Sequence, residues 1–177
     1  GKSNVMLGKN ATKVFVATDG MEKFFPAHKI VITGNPVRSS IVNSNISREE
    51  GVQFFGLDVG KKTVLATGGS LGARGINEAI EAGIEAFGNE VQLIWQTGKP
   101  YADRAATITK GRKGIWTNAF ITEMEKAYAA ADVVISRAGA MAIAELCVVK
   151  KPVIFVPYPF AAEDHQTVNA TNLQAKH

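Results

Sequence analysis

The chain has 177 residues, of which 46% are apolar and 20% charged, with a net charge of +4. That length suits one domain with a sizeable core, or one domain with part of another, and the balance is that of a globular chain rather than a disordered or fibrous one. No apolar run approaches the ~20 residues of a membrane span. The start, GKSNVMLGKN, has no apolar core and does not read as a signal peptide. The basic residues are spread out and not interleaved with aromatics, which favours anionic ligands mildly and predicts no nucleic-acid partner. A single cysteine, Cys147, cannot form an internal disulfide and points to a reducing cytoplasm; its apolar helical setting reads as packing.

In chain order, TKVFVAT (12–18) and KIVITG (29–34) predict short strands. GNPVRSSI (34–41) is a turn, because Pro36 forces the residue before it to be extended, and a helix can begin after it. Residues 47–62 show no clean period and read as a connection. A regular alternation follows. TVLATGG (63–69) is an apolar strand ending in glycines, and residues 73–87 place Ile76, Ala79, Ile80, Ile84 and Phe87 at helical spacing. VQLIWQTG (91–98) is the next strand, 101–111 a helix and 114–120 a strand. Residues 122–131 predict a helix with a capping box of Thr122 and Glu125. Then come a strand over 132–136, a helix over 140–149, a strand over 152–157 and a helix over 163–174. Strands that are continuous apolar runs, alternating with helices, predict an α/β fold with a Rossmann-like, doubly wound parallel sheet. The two strands before Gly34 precede this alternation and suit another layer or domain.

In such sheets ligands bind beyond the carboxyl ends of the strands. Three strands end there in polar or glycine-bearing loops: 67–75, 96–99 and 136–140. In GGSLGARG (68–75) glycines let N–H groups approach a phosphate, and a helix N-terminus near Ala73 favours its charge. A plain strand–helix turn explains the same glycines equally well. The loop is neither a Walker A loop nor a clean dinucleotide fingerprint. SRAGAMAIAE (136–145) makes a second helix start on the same edge, with N–H groups near Ala140–Ala142 placed for a diphosphate. Glu145 has two readings: a complement to the helix dipole with Arg137 as solvated partner, or an acceptor for the vicinal hydroxyls of a ribose. Either way its replacement by Ala should hardly disturb the fold, since Ala is a good helix former. No Asp-x-Asp and no zinc-type Cys/His spacing is present, so neither metal nor cofactor is expected. No Ser-His-Asp triad is assigned, and His165 beside Gln166 reads as solvated surface or as a ligand contact.

GNPVR (34–38), GGSLGARGINEAI (68–80), WQTGK (95–99), residues 119–146 and residues 152–170 together resemble the MurG family, in order and over nearly the whole chain. The resemblance implies one half of a two-domain GT-B glycosyltransferase with a remnant of the other. Residues 1–33 would end the N-terminal acceptor domain, and 34–177 would form the C-terminal UDP-GlcNAc-binding domain. It implies transfer of N-acetylglucosamine from UDP-GlcNAc to lipid-linked muramoyl-pentapeptide, with inversion and direct loss of UDP, at the cytoplasmic side of a bacterial membrane. Residue by residue, it implies donor binding by Arg38 and Ser70, a backbone contact to uracil at Ile121, and a diphosphate and ribose wrap over Ala140, Met141, Ala142, Ile143, Ala144 and Glu145. Gln166 would face the sugar. The family's N-terminal glycine-rich loop is not in this sequence, so no catalytic base is assigned and turnover by this chain alone is not expected. Three rival readings remain. Another GT-B UDP-sugar enzyme would differ on the acceptor side, and a nucleotide-binding module would bind without turnover. A Rossmann oxidoreductase would want an acidic strand end that this sequence lacks.

Overall fold

A computed structural model describes residues 2–159 and 165–174. The chain divides into two compact units, Gly1–Val37 and Arg38–His177. In the first unit, helix α1 (Lys2–Asn10) precedes strand β1 (Val14–Val16), and β1 pairs in parallel with β2 (Ile30–Ile32). Both expected strands are therefore present, each shorter than its apolar run. Phe25 is buried and packs closely over Gly8 of α1.

The second unit opens with two short helices, α2 (Ser39–Val42) and α3 (Arg48–Phe54). The regular alternation then follows: β3 (Lys62–Thr67), α4 (Arg74–Ala82), β4 (Val91–Gln96), α5 (Ala102–Thr109), β5 (Ile115–Asn118), α6 (Met124–Ala130), β6 (Val133–Ser136), α7 (Ala140–Val149), β7 (Val153–Phe155) and α8 (His165–Gln174). The sheet is parallel throughout, in the order β5-β4-β3-β6-β7. The expected α/β, Rossmann-like sheet is thus observed, and its central strands Leu65, Ala66, Leu93, Ile94, Trp95 and Val134 are fully buried. After β3 the chain adds β4 and β5 on one side, then returns to place β6 on the other. The order reverses between β3 and β6, which opens a crevice at their carboxyl ends.

The buried polar side chains of Gln92, Thr63 and Trp95 inside the apolar runs have hydrogen-bond partners. Gln92 donates to Asp58 O and Thr63 Oγ1 and accepts from the Asp58 N–H. The Trp95 indole N–H donates to Asn77 Oδ1, and Asn77 in turn donates to Thr97 O, so one buried amide fixes α4 to the end of β4.

Three local expectations are corrected. Residues 48–54 are helix, not connection: Ser47 and Glu50 form a reciprocal capping box, and Gly51 lets α3 approach the backbone of α6 closely. The expected box at Thr122 does not form. Helix α6 starts later, with Glu123 at its N-cap and no side-chain cap, because the Thr122 hydroxyl donates to the Glu123 carboxylate instead. Cys147 is exposed on α7 rather than packed. The first two residues of the helix expected over 163–174 lie outside the described residues.

Candidate functional site

Thr67 and Ser136, both buried, face each other in register where β3 and β6 end. Beyond them the loop after β3 leads into α4, with Ala73 at its N-cap, and the loop after β6 leads into α7, with Gly139 at its N-cap. Neither cap residue supplies a side-chain hydrogen bond. A helix N-terminus carries N–H groups without intrahelical partners and a partial positive charge, so two such ends side by side favour an anion between them.

A cleft of about 1150 Å³ opens over this edge. Its walls include Arg38, residues 67–75, Gln96, Phe120, Ile121, Tyr128, Arg137, Glu145 and residues 156–159. The glycines around it divide into two kinds. Gly72, at φ +76°, and Gly98, at φ +74°, press backbone to backbone, and a Cβ on Gly72 would lie 2.1 Å from Thr97 O. They lock the loop after β3 onto the loop after β4. At Gly139 an added Cβ would meet nothing within 4 Å, and at Gly75 only the tip of Arg137 at 4.0 Å. These two leave open space against the backbone, as close approach of a ligand requires.

Gln96 ties the two sides of the cleft together. Its Nε2 donates to Thr67 Oγ1 and Gly69 O, at 3.1 and 2.9 Å. Its Oε1 accepts from the Ile121 N–H at 2.9 Å. One buried amide therefore fixes the glycine loop and the start of the β5–α6 connection at once.

The sequence-predicted residues converge only in part. Arg38, Ser70, Ile121, Ala142, Glu145 and Gln166 all line the cleft. Ala140, Met141, Ile143 and Ala144 share α7 with Glu145 but do not line it. Gln166 Oε1 accepts from the Tyr158 N–H at 3.0 Å. Glu145 is buried, 8% exposed, and its partner is not Arg137. Arg38 meets it side-on, Nε to Oε1 at 3.1 Å and Nη2 to Oε2 at 3.4 Å, and the Tyr128 hydroxyl donates to Oε2 at 3.0 Å. Arg137 instead donates to Val156 O and Pro157 O and lies over the Tyr158 ring. Tyr128 reads in the sequence as a helix interior, and Gln96, in a loop expected on the ligand edge, carries there no sign of the bracing role it takes. Burial, then the Glu145 charge, push the Tyr128 phenol well above its ordinary range, so it remains a hydrogen-bond donor.

Residues 63–177 match the glycosyltransferase family 28 C-terminal domain. The chain belongs to this family. It is 53% identical, over 99% of its length, to a Parabacteroides distasonis protein named UDP-N-acetylglucosamine–N-acetylmuramyl-(pentapeptide) pyrophosphoryl-undecaprenol N-acetylglucosamine transferase, covering 49% of that relative. A protein of the same name from Phocaeicola vulgatus is 51% identical over 99% of the chain, which covers 48% of it. The chain spans about half the length of the curated relatives it matches. Among solved structures, Acinetobacter baumannii MurG superposes with a TM-score of 0.67 and 28% identity, over 99% of this chain and 48% of that one. The wall teichoic acid polymerase TagF, at 10% identity and a TM-score of 0.56 over 94% of this chain and 43% of its own, shares the fold. The MurG-family resemblance read from the motifs is borne out.

Proposed function

We propose that this chain carries the donor-nucleotide site of an inverting glycosyltransferase. That enzyme would move N-acetylglucosamine from UDP-GlcNAc to undecaprenyl-pyrophosphoryl-muramoyl-pentapeptide, lipid I to lipid II, in peptidoglycan synthesis. The observation that carries this reading is the cleft itself: two adjacent helix N-termini for a diphosphate, with an arginine and a buried carboxylate on one wall. Relatives that bear the transferase name over 99% of this chain support it.

In this reading the diphosphate lies between the starts of α4 and α7, near Ser70 and Ala142. Charge builds on the diphosphate as UDP leaves. Fixed N–H groups and helix ends neutralise that charge without reorganising, which is how preorganised sites lower such barriers. The Arg38 side chain, 48% exposed, can reach a phosphate with charge-assisted bonds. Glu145 takes the ribose hydroxyls and Gln166 faces the sugar. The Ile121 N–H is committed to Gln96, so Ile121 meets a base through its carbonyl, which suits the imide N–H of uracil. The acceptor, the catalytic base and contact with the cytoplasmic face of the membrane belong to the rest of the enzyme. Residues 1–33 read as the end of its acceptor domain.

Calorimetric titration with UDP, UDP-GlcNAc and ADP tests this reading, alongside a transfer assay on the lipid-linked acceptor. Uridine nucleotides should bind in preference to ADP, and the chain alone should transfer nothing. Equal binding of ADP and UDP would overturn the assignment.

A further inference from the structure

We infer that Tyr128 is a positioning residue that holds the Glu145 carboxylate for a ribose, and so sets the preference of the site for ribonucleotides over deoxyribonucleotides. The inference rests on the nucleotide reading above and deepens it.

Among the described residues Glu145 has two side-chain partners, and they differ in kind. The Arg38 side chain is 48% exposed and stands at the N-cap of the short helix α2. Tyr128 is 3% exposed, within α6, and its hydroxyl reaches Oε2 at 3.0 Å. Arg38 is therefore the partner that can leave, and Tyr128 the one that cannot.

This difference matters when an anion enters the cleft. A guanidinium drawn to a phosphate gives up its bonds to Glu145, and the carboxylate would then stand in a buried place with one fewer charge partner. A buried carboxylate without donors rotates away from its place. The Tyr128 hydroxyl, fixed in the core, keeps Oε2 in place, and the departing Arg38 frees Oε1, which it had bonded. Vicinal hydroxyls then find an acceptor already oriented, and orientation in advance is what converts a hydrogen bond into affinity. Arg38 keeps the same carboxylate paired while the cleft is empty.

The test is a titration of the chain and of Tyr128→Phe, which removes only the hydroxyl, with UDP and 2′-deoxy-UDP. Thermal melting is recorded for both proteins. The unmodified chain should prefer UDP. Tyr128→Phe should bind 2′-deoxy-UDP within about twofold of the unmodified chain and lose about tenfold in UDP affinity, the size of one hydrogen bond to a charged group. A merely structural role would lower affinity for both nucleotides together, and that result, like an unchanged preference, would overturn the inference. Glu145→Ala, which removes the acceptor that Tyr128 holds, supplies the second arm. In that background, adding Tyr128→Phe should leave the nucleotide preference unchanged. A further drop as large as in the parent would show that Tyr128 acts by another route. Absence of UDP binding by the unmodified chain would instead overturn the nucleotide reading on which the inference stands.

Discussion

Glu145 is held in the wall of the cleft by two side chains, Arg38 and Tyr128. Its place on an apolar helix just past a glycine marks it as unusual, and the cleft puts it on a wall, yet its partners come from 107 and 17 residues away. No local pattern encodes them. They also change the expected cost of removing it. From sequence, Glu145→Ala looks harmless to the fold, but the substitution leaves the Tyr128 hydroxyl buried without its acceptor. A stranded buried polar group costs about 1–3 kcal/mol. Glu145→Ala should therefore lower stability by about that amount in denaturant titrations. It should also weaken UDP binding by on the order of 30- to 1,000-fold, from the loss of about 2–4 kcal/mol of charge-assisted bonding. Affinity measured well below the melting temperature separates the two effects. An unchanged affinity would remove Glu145 from the ribose site.

The loops after β3 and β6 are both glycine-bearing, yet their glycines make opposite predictions. Gly72 combines a φ of +76° with contact against Thr97 O, so Gly72→Ala should destabilise the fold by more than 1 kcal/mol or so, through strain and a broken loop-to-loop contact. Gly139 has an ordinary φ of −71° and open space around it. Gly139→Ala should melt within a few degrees of the unmodified chain, but its methyl group intrudes where a ligand meets α7, so UDP should bind more weakly. Melting curves and titrations of the two variants check the contrast. A stable Gly72→Ala, or a Gly139→Ala that binds normally, would contradict it.

Element by element, the alternation from β3 to β7 was legible because each strand is a short apolar run and α4 places its apolar residues at helical spacing, while α7 is apolar all round. Helix α7 matches the expected 140–149. Helix α3 was missed because its buried face is Gly51 and Val52, too small for a periodicity, although Ser47 and Glu50 stood at capping-box spacing. The same spacing at Thr122 misled, because a neighbouring carboxylate captured the hydroxyl. The loop 96–99 was legible as part of the ligand edge, but the bracing role of Gln96 was not, since its three partners lie in other strands and loops.

At the scale of the whole molecule, the two ends of the sheet divide stability and binding. At the amino end Asp132 accepts from Arg48 and Lys62 and from the Thr63 N–H. Burial alone would raise its carboxyl, but these donors outweigh burial and hold it below the usual carboxylate range. A carboxyl depressed in the fold contributes stability that is complete above its unfolded value, about 3.9, and is lost as the pH falls through the folded value. Asp132→Asn should therefore lower the melting temperature at pH 7, and the gap should shrink in strongly acidic buffer. A gap that is constant with pH would contradict this. UDP affinity near neutrality should hardly change, because the cleft lies at the opposite end of the strands. The most direct measurement of the donor site is an equilibrium titration of the chain with UDP. Saturable binding at one site is expected, competed by UDP-GlcNAc and strongly weakened in Glu145→Ala. No saturable binding, or binding that Glu145→Ala leaves intact, would contradict it.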